Sequence, residues 1–161
     1  MKSYRIAVIA GDGIGKEVVP AAIEVLNMAA QGGFRCDFTH LPWGCDYYLQ
    51  TGRMMDPDGI AQLLRYDAIY LGAIGDPRVA DHISARELIL PLRQRLGQYV
   101  NLRPMRLLPG IASPLANRGA ADIDMICVRE NSEGEYCGIG GRLHGGTPQE
   151  LAEQTGVFTR H

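Results

Sequence analysis

The 161-residue chain has no apolar run approaching a membrane-crossing helix, which needs about 20 such residues. Its first apolar run, residues 6–10, is interrupted by Gly11 and Asp12, too early for the core of a secretory leader. Charge of one sign is scarce too. A net charge of −2 and a pI near 6.1 leave no broad basic face, so neither nucleic acid nor a membrane surface is an expected partner. Cys36, Cys45, Cys127 and Cys137 include no Cys-x-x-Cys pair, and His40, His82, His144 and His161 stand at no ligand spacing. These absences lead us to expect reduced thiols in a cytoplasmic protein and no metal site on this chain. Lysine occurs only at positions 2 and 16, and no aspartate follows Asp124.

The residues that are present describe an α/β protein. The apolar run 6–10 reads as a strand covered on both faces. It leads through Gly11, Gly13 and Gly15 into Val18, Val19, Ala22, Ile23, Leu26 and Ala29, which recur at helical spacing up to Gly32-Gly33. Phe34, Cys36 and Phe38 alternate with polar residues as a half-covered strand. A short helix is expected at about 44–50. Asp56-Pro57 predicts the cap and first turn of another. Residues 67–72 return as a buried strand, so the pattern β-α-β-α-β predicts a doubly wound, mostly parallel sheet.

The second half is more broken. Ser84 and Glu87 have the spacing of a capping box, predicting a helix that starts there with Leu88, Leu92 and Leu96 on one side. Pro91 inside it predicts a kink or a late start. Residues 99–108 read as extended, with Pro104 holding Arg103 out of helical geometry. Residues 123–128 predict a strand, and Gly134 and Gly138 flank a short one around Tyr136, after which Gly140-Gly141 opens a loop. Thr155, Val157 and Thr159 alternate as a strand with little core of its own.

Function points to residues 93–136. Between positions 84 and 130 there are seven arginines and four carboxylates, a positive island in a mildly acidic chain, which suits a small anion better than a polyanion. Arg93 falls near a helix end, Arg103 in an extended segment, and Arg129 after a strand, where open α/β sheets collect ligands. Converging guanidiniums could grip carboxylates. Alternatively they are separate surface cations, with Glu87, Asp122 and Glu130 as available partners. Tyr136 reads either as a core tyrosine or as a general acid in a cationic pocket. The Gly-x-Gly-x-Gly spacing fits neither the dinucleotide fingerprint nor a P-loop, and leaves open a plain strand-to-helix turn.

Together, Gly11-Asp12-Gly13-Ile14-Gly15, Leu92-Arg93, Asn101-Leu102-Arg103-Pro104 and the run 128–136 (Val-Arg-Glu-Asn-Ser-Glu-Gly-Glu-Tyr) resemble the metal-dependent, β-decarboxylating 2-hydroxy-acid dehydrogenases. This family includes the isocitrate and 3-isopropylmalate enzymes. Asp81-His82-Ile83-Ser84 and the run 129–136 are most similar to its tartrate and D-malate branch. The resemblance implies an isopropylmalate-dehydrogenase type of sheet, distinct from a true Rossmann fold. By the same resemblance the sheet would be truncated here and would carry a projecting β arm. Residues 1–100 would begin the cofactor-side domain, and 101–161 the substrate and dimer domain, with arm 140–161 pairing two copies.

By that resemblance Arg93, Arg103 and Arg129 would hold the carboxylates of a 2-hydroxy dicarboxylate, and Tyr136 would protonate the carbon left after decarboxylation. Ile14, Gly72, Ala73 and Ile74 would lie beside the nicotinamide of NAD. Mn2+ or Mg2+ would be held by aspartates expected beyond residue 161, where the base lysine is also expected. The 161 residues alone are therefore expected to be inactive. Ile89-Leu90 is apolar, as in relatives that accept an alkyl substituent, while Arg86 stands where some relatives carry an acid, which blurs the choice between malate, tartrate and an alkylmalate; 3-isopropylmalate and isocitrate are the alternative substrates within the family. A non-catalytic module that binds dicarboxylates or pairs with a full-length subunit is the rival of another class.

Overall fold

β1 (Lys2–Gly11) is the centre of a three-stranded parallel sheet, with β2 (Phe34–His40) on one side and β3 (Ala68–Ala73) on the other. The structure is a computed structural model describing residues 2–160, so His161, the last residue of the expected arm, lies outside it. Ala7, Val8 and Ile9 have no solvent exposure, as the uninterrupted apolar run requires of a strand covered on both faces. Ala7 and Ile9 join a cluster containing Trp43, Cys45, Met54, Leu63, Leu88 and Leu92. On the opposite face, α1 (Gly15–Ala30) buries Val19 over β3.

The close approach of α1 to the sheet explains the glycines. A Cβ at Gly15 would stand 2.1 Å from the Ala10 carbonyl oxygen, and one at Gly72 would stand 2.2 Å from the same atom. Neither contact is sterically possible, so these glycines let strand end and helix start meet. At Gly15 this packing fits the plain strand-to-helix turn that the motif leaves open.

α2 (Cys45–Thr51) ends on Gly52 in the left-handed conformation, φ 73°, a conformation a Cβ disfavours. α3 (Gly59–Leu63) corrects the expectation of a start at Asp56-Pro57. The Asp56 carboxylate is drawn away by the Tyr47 hydroxyl at 2.5 Å and by Gln62 at 3.1 Å, and these bonds keep Asp56 below the usual carboxylate value.

The capping box at Ser84 is also corrected. The helix begins three residues earlier, with α4 (Asp81–Ser84), and Ser84 Oγ donates back to the Asp81 carbonyl at 3.0 Å. It passes through a π-helical turn at Ala85–Ile89 into α5 (Leu90–Arg95). Pro91 lacks an N–H and crowds the turn before it. The wider turn directly ahead accommodates this without breaking the helix, and Leu88 and Leu92 stay buried as expected.

Residues up to Leu96 and residues from Gly97 onward form two compact units. The second contains an antiparallel ribbon of β4 (Val100–Arg106) and β5 (Asp124–Glu130), and a hairpin of β6 (Gly134–Leu143) and β7 (Leu151–Val157). The expected loop at Gly140-Gly141 is a correction: both lie within β6. A Cβ at Gly140 would stand 2.3 Å from the Glu153 carbonyl oxygen, so glycine here permits strand pairing where its local propensity suggested a loop. The expected strand at 155–159 instead spans Leu151–Val157.

Candidate functional site

In the β4–β5 ribbon, Asn101 pairs with Arg129 and Arg103 with Cys127. Paired residues share a face in an antiparallel ladder, so Arg103 and Arg129 project from the same side, on neighbouring rungs. The opposite side carries Val100, Leu102, Pro104, Ile126 and Val128, with Leu102 62% and Val128 67% exposed, between Glu130 at one end and the Arg106–Asp124 ion pair at the other. One strand pair thus presents two arginines on one face and an exposed apolar centre flanked by charges on the other.

Arg129 Nη2 donates a hydrogen bond to the Tyr136 hydroxyl at the start of β6, and its guanidinium carbon lies 5.3 Å from the centre of the Tyr136 ring. A guanidinium can only donate, so the phenolic oxygen accepts and its own proton is directed elsewhere. Both side chains are half-buried, while Arg103 is exposed. Among the described residues neither Arg103 nor Arg129 forms a salt bridge.

Two of the three carboxylates named as alternative partners are engaged elsewhere. Asp122 pairs with Arg118 at 3.5 Å. Glu130 accepts from the Ser132 amide at 2.6 Å and the Glu133 amide at 2.8 Å. Desolvation pushes the Glu130 carboxyl up, but these amides, with the Ser132 hydroxyl and the Asn131 amide, outweigh it and hold the group below the usual value. Asn131, 5% exposed, donates to the Gln98 carbonyl and accepts from the Asn101 side chain, both at 3.2 Å. It anchors the turn between Arg129 and Tyr136, a role the sequence did not reveal.

The other predicted residues lie in the first unit. Arg93 occupies the last turn of α5 and is half-buried. Gly72 and Ala73 end β3, Ile74 follows, and Ile14 is 59% exposed just before α1. These four residues therefore collect where β1 and β3 end, the carboxyl edge of the parallel sheet. An ion network borders that edge: Lys16 meets Asp46 at 2.5 Å, and Arg78 meets Asp46 and Asp76, both at 2.7 Å. The Arg78 side chain and amide hold Asp76 far below the usual carboxylate range. Lys16 and Arg78 lower Asp46 as well.

In the sequence Asp12 stands out only as part of the glycine motif. Here it is buried at 2% exposure and hydrogen-bonded to the Cys45 and Gly75 amides. Its position between glycines at a strand exit was the available signal. A separate cleft of about 530 Å3, lined in part by Met55, Ile60, Leu64, Pro91 and Arg95, contains none of the predicted site residues. Among the described residues no group of three or more His, Cys, Asp or Glu could hold a metal ion, and no helix is long and apolar enough to cross a membrane. All four cysteines are free thiols.

The chain is similar to known proteins. The D-malate dehydrogenase (decarboxylating) of Escherichia coli K12 is 52% identical over 163 residues, covering 99% of this chain and 45% of that protein. The tartrate dehydrogenase/decarboxylase of Pseudomonas putida is 50% identical over 161 residues, covering 98% and 44%. The chain thus spans less than half the length of these relatives. The crystal structure of isocitrate dehydrogenase from Methylococcus capsulatus aligns with a TM-score of 0.73 at 28% identity, covering 98% of this chain and 43% of that one. The profile described as isocitrate/isopropylmalate dehydrogenase matches residues 5–161. Paired arginines on a ribbon, an arginine-bound tyrosine and a glycine-tight parallel sheet thus occur in a chain that belongs to the isocitrate/isopropylmalate dehydrogenase family.

Proposed function

We propose that this chain supplies part of the active site for NAD-dependent oxidative decarboxylation of a 2-hydroxy dicarboxylic acid, D-malate or tartrate, in a cytoplasmic enzyme that uses Mn2+ or Mg2+. The observation that carries this reading is the hydrogen bond from Arg129 to the Tyr136 oxygen. It leaves the hydroxyl proton directed away from the guanidinium. It also places a fixed positive charge beside the phenolate that forms once the proton is given up.

The roles of the residues follow from their chemistry. Arg103 and Arg129 share one face of the ribbon, where each can meet a carboxylate oxygen with charge-assisted hydrogen bonds. Arg93 would complete the grip. Tyr136 would protonate the substrate carbon that loses its carboxyl group. Exposed Ile14 fits the flat, apolar face of a nicotinamide, with Gly72, Ala73 and Ile74 as backbone beside it. NAD, when bound, would take the hydride from the substrate C2. The described residues do not fit a metal site, so no step here depends on one. The metal aspartates and base lysine are proposed to lie on sequence beyond residue 161, and the 161 residues alone are proposed to be inactive.

The full-length protein should reduce NAD with D-malate or tartrate faster than with 3-isopropylmalate or isocitrate. Preference for isocitrate would contradict the substrate assignment. NADH formation from D-malate and Mn2+ by the 161-residue chain would contradict its inactivity. The hairpin β6–β7 places Ile139, Leu143 and Leu151 on one exposed face, which supports homodimerisation through the arm 140–161. L143D combined with L151D should give a monomer in sedimentation; an unchanged dimer would count against this role for the arm.

A further inference from the structure

Asp12 is the one charged side chain among the buried described residues, at 2% exposure. Burying a carboxylate is costly unless its oxygens find donors. Here both do. Oδ1 accepts from the Cys45 amide at 2.8 Å, where α2 begins, and Oδ2 accepts from the Gly75 amide at 3.0 Å, just past β3. Its main chain continues the pattern: the Asp12 amide donates to the Ala73 carbonyl at 2.7 Å, and its carbonyl accepts from the Gly15 amide at 2.9 Å.

Three segments that leave the sheet at its carboxyl edge thus meet on one residue. Two of the four bonds close on residues 73 and 75. Open space lies above Gly75, where a Cβ would meet nothing within 4 Å. The turn is therefore tethered from beneath, by Asp12, and is open on the other side. At Gly44 a Cβ would stand 2.9 Å from Asp12 Oδ1, so the loop before α2 is shaped to bring its amide to the carboxylate.

We propose that Asp12 is a positioning residue for the cofactor: its two carboxylate oxygens fix the backbone at 72–75 in the shape that receives the nicotinamide ring. This rests on the NAD-linked function proposed above. Asp12 does not touch the substrate carboxylates in this account, so its loss should weaken cofactor recognition selectively. An asparagine has one acceptor oxygen, and its NH2 end would face an amide N–H, so D12N can satisfy only one of the two loops.

The test compares the full-length wild-type protein with D12N and L63A, measuring KM for NAD and for the hydroxy acid separately, with melting temperature alongside. L63A removes a buried core side chain and leaves every group bonded to Asp12 in place. D12N should raise KM for NAD about tenfold or more and leave KM for the hydroxy acid within about twofold, while L63A should leave both unchanged at a comparable loss of melting temperature. An unchanged KM for NAD in D12N would overturn the proposal. So would equal rises in both KM values, or an L63A effect matching that of D12N, since each would mean general loosening. If D12N does not fold, G75A replaces it: at φ 149° a side chain strains the turn while its Cβ enters open space. G75A should raise KM for NAD selectively, and no rise would overturn the proposal. A wild-type protein that neither binds nor reduces NAD overturns the functional reading and this inference together. Normal NAD kinetics in the wild type with no selective effect of the variants overturns only the inference.

Discussion

The Tyr136 hydroxyl accepts a hydrogen bond from Arg129 Nη2, and the same guanidinium carbon lies 5.3 Å from the ring centre. Arg129 thus orients the tyrosine and can also face a substrate carboxylate. R129A in the full-length protein should raise KM for the hydroxy acid and lower kcat together. A lost charge-assisted bond of about 1.5–3 kcal/mol corresponds to roughly a ten- to hundredfold fall in kcat/KM. Unchanged steady-state kinetics would return Arg129 to the role of a surface cation.

The cysteines should differ sharply in reactivity. Burial, followed by the neighbouring Asp12 carboxylate, pushes the Cys45 thiol from 9.0 up to about 12, whereas Cys127 is exposed on the arginine face of the ribbon. At pH 8 an alkylating reagent should modify Cys127 in the native protein and reach Cys45 only on unfolding. Because the folded value of Cys45 is raised, its neutral thiol favours the fold below pH 9.0. That contribution is lost as pH rises through about 12. Rapid native labelling of Cys45, mapped by mass spectrometry, would contradict its burial.

Asp76 and Asp46 set an acid limit at the sheet edge. Arg78 lowers Asp76, and Lys16 then Arg78 lower Asp46, from an ordinary value of 3.8. A depressed carboxylate favours the fold above its unfolded value, and this contribution is lost as pH falls through the lower folded value. D76N should therefore melt slightly below the wild type at pH 7. The effect should be small because the Arg78 side chain is well exposed to solvent. The gap should narrow as pH falls below about 4. A gap that widens in acid would show that the ion network is not its source.

Local signals made the parallel sheet legible. The run 6–10, the helical spacing from Val18 to Ala29 and the glycine stops all act within a few residues, and β1, α1, β2, α2 and β3 appear close to where they were expected, although β3, expected to be buried, is half-buried to exposed. Misread positions depend on partners distant in sequence. Asp56 had the form of a helix cap, but Tyr47, nine residues back, takes its carboxylate. Gly140 looked like a loop residue because its cross-strand neighbour Gln154 is supplied only by the register of the hairpin. At the candidate site the residue types were legible but their geometry was not. Spacing cannot show that residues 103 and 129 share a ribbon face, nor that Asp12 reaches Gly75, 63 residues away.

The central claim is that Tyr136 delivers a proton in an oxidative decarboxylation, and Y136F tests it most directly in the full-length protein. Carbon dioxide and NADH would be measured together with D-malate or tartrate as substrate. The wild type should release one carbon dioxide for each NADH. Y136F keeps the ring and the arginines but lacks the proton, so its kcat should fall about a hundredfold or more while KM for the hydroxy acid stays within about threefold. Turnover by Y136F at the wild-type rate, or NADH formed without carbon dioxide by the wild type, would contradict the account.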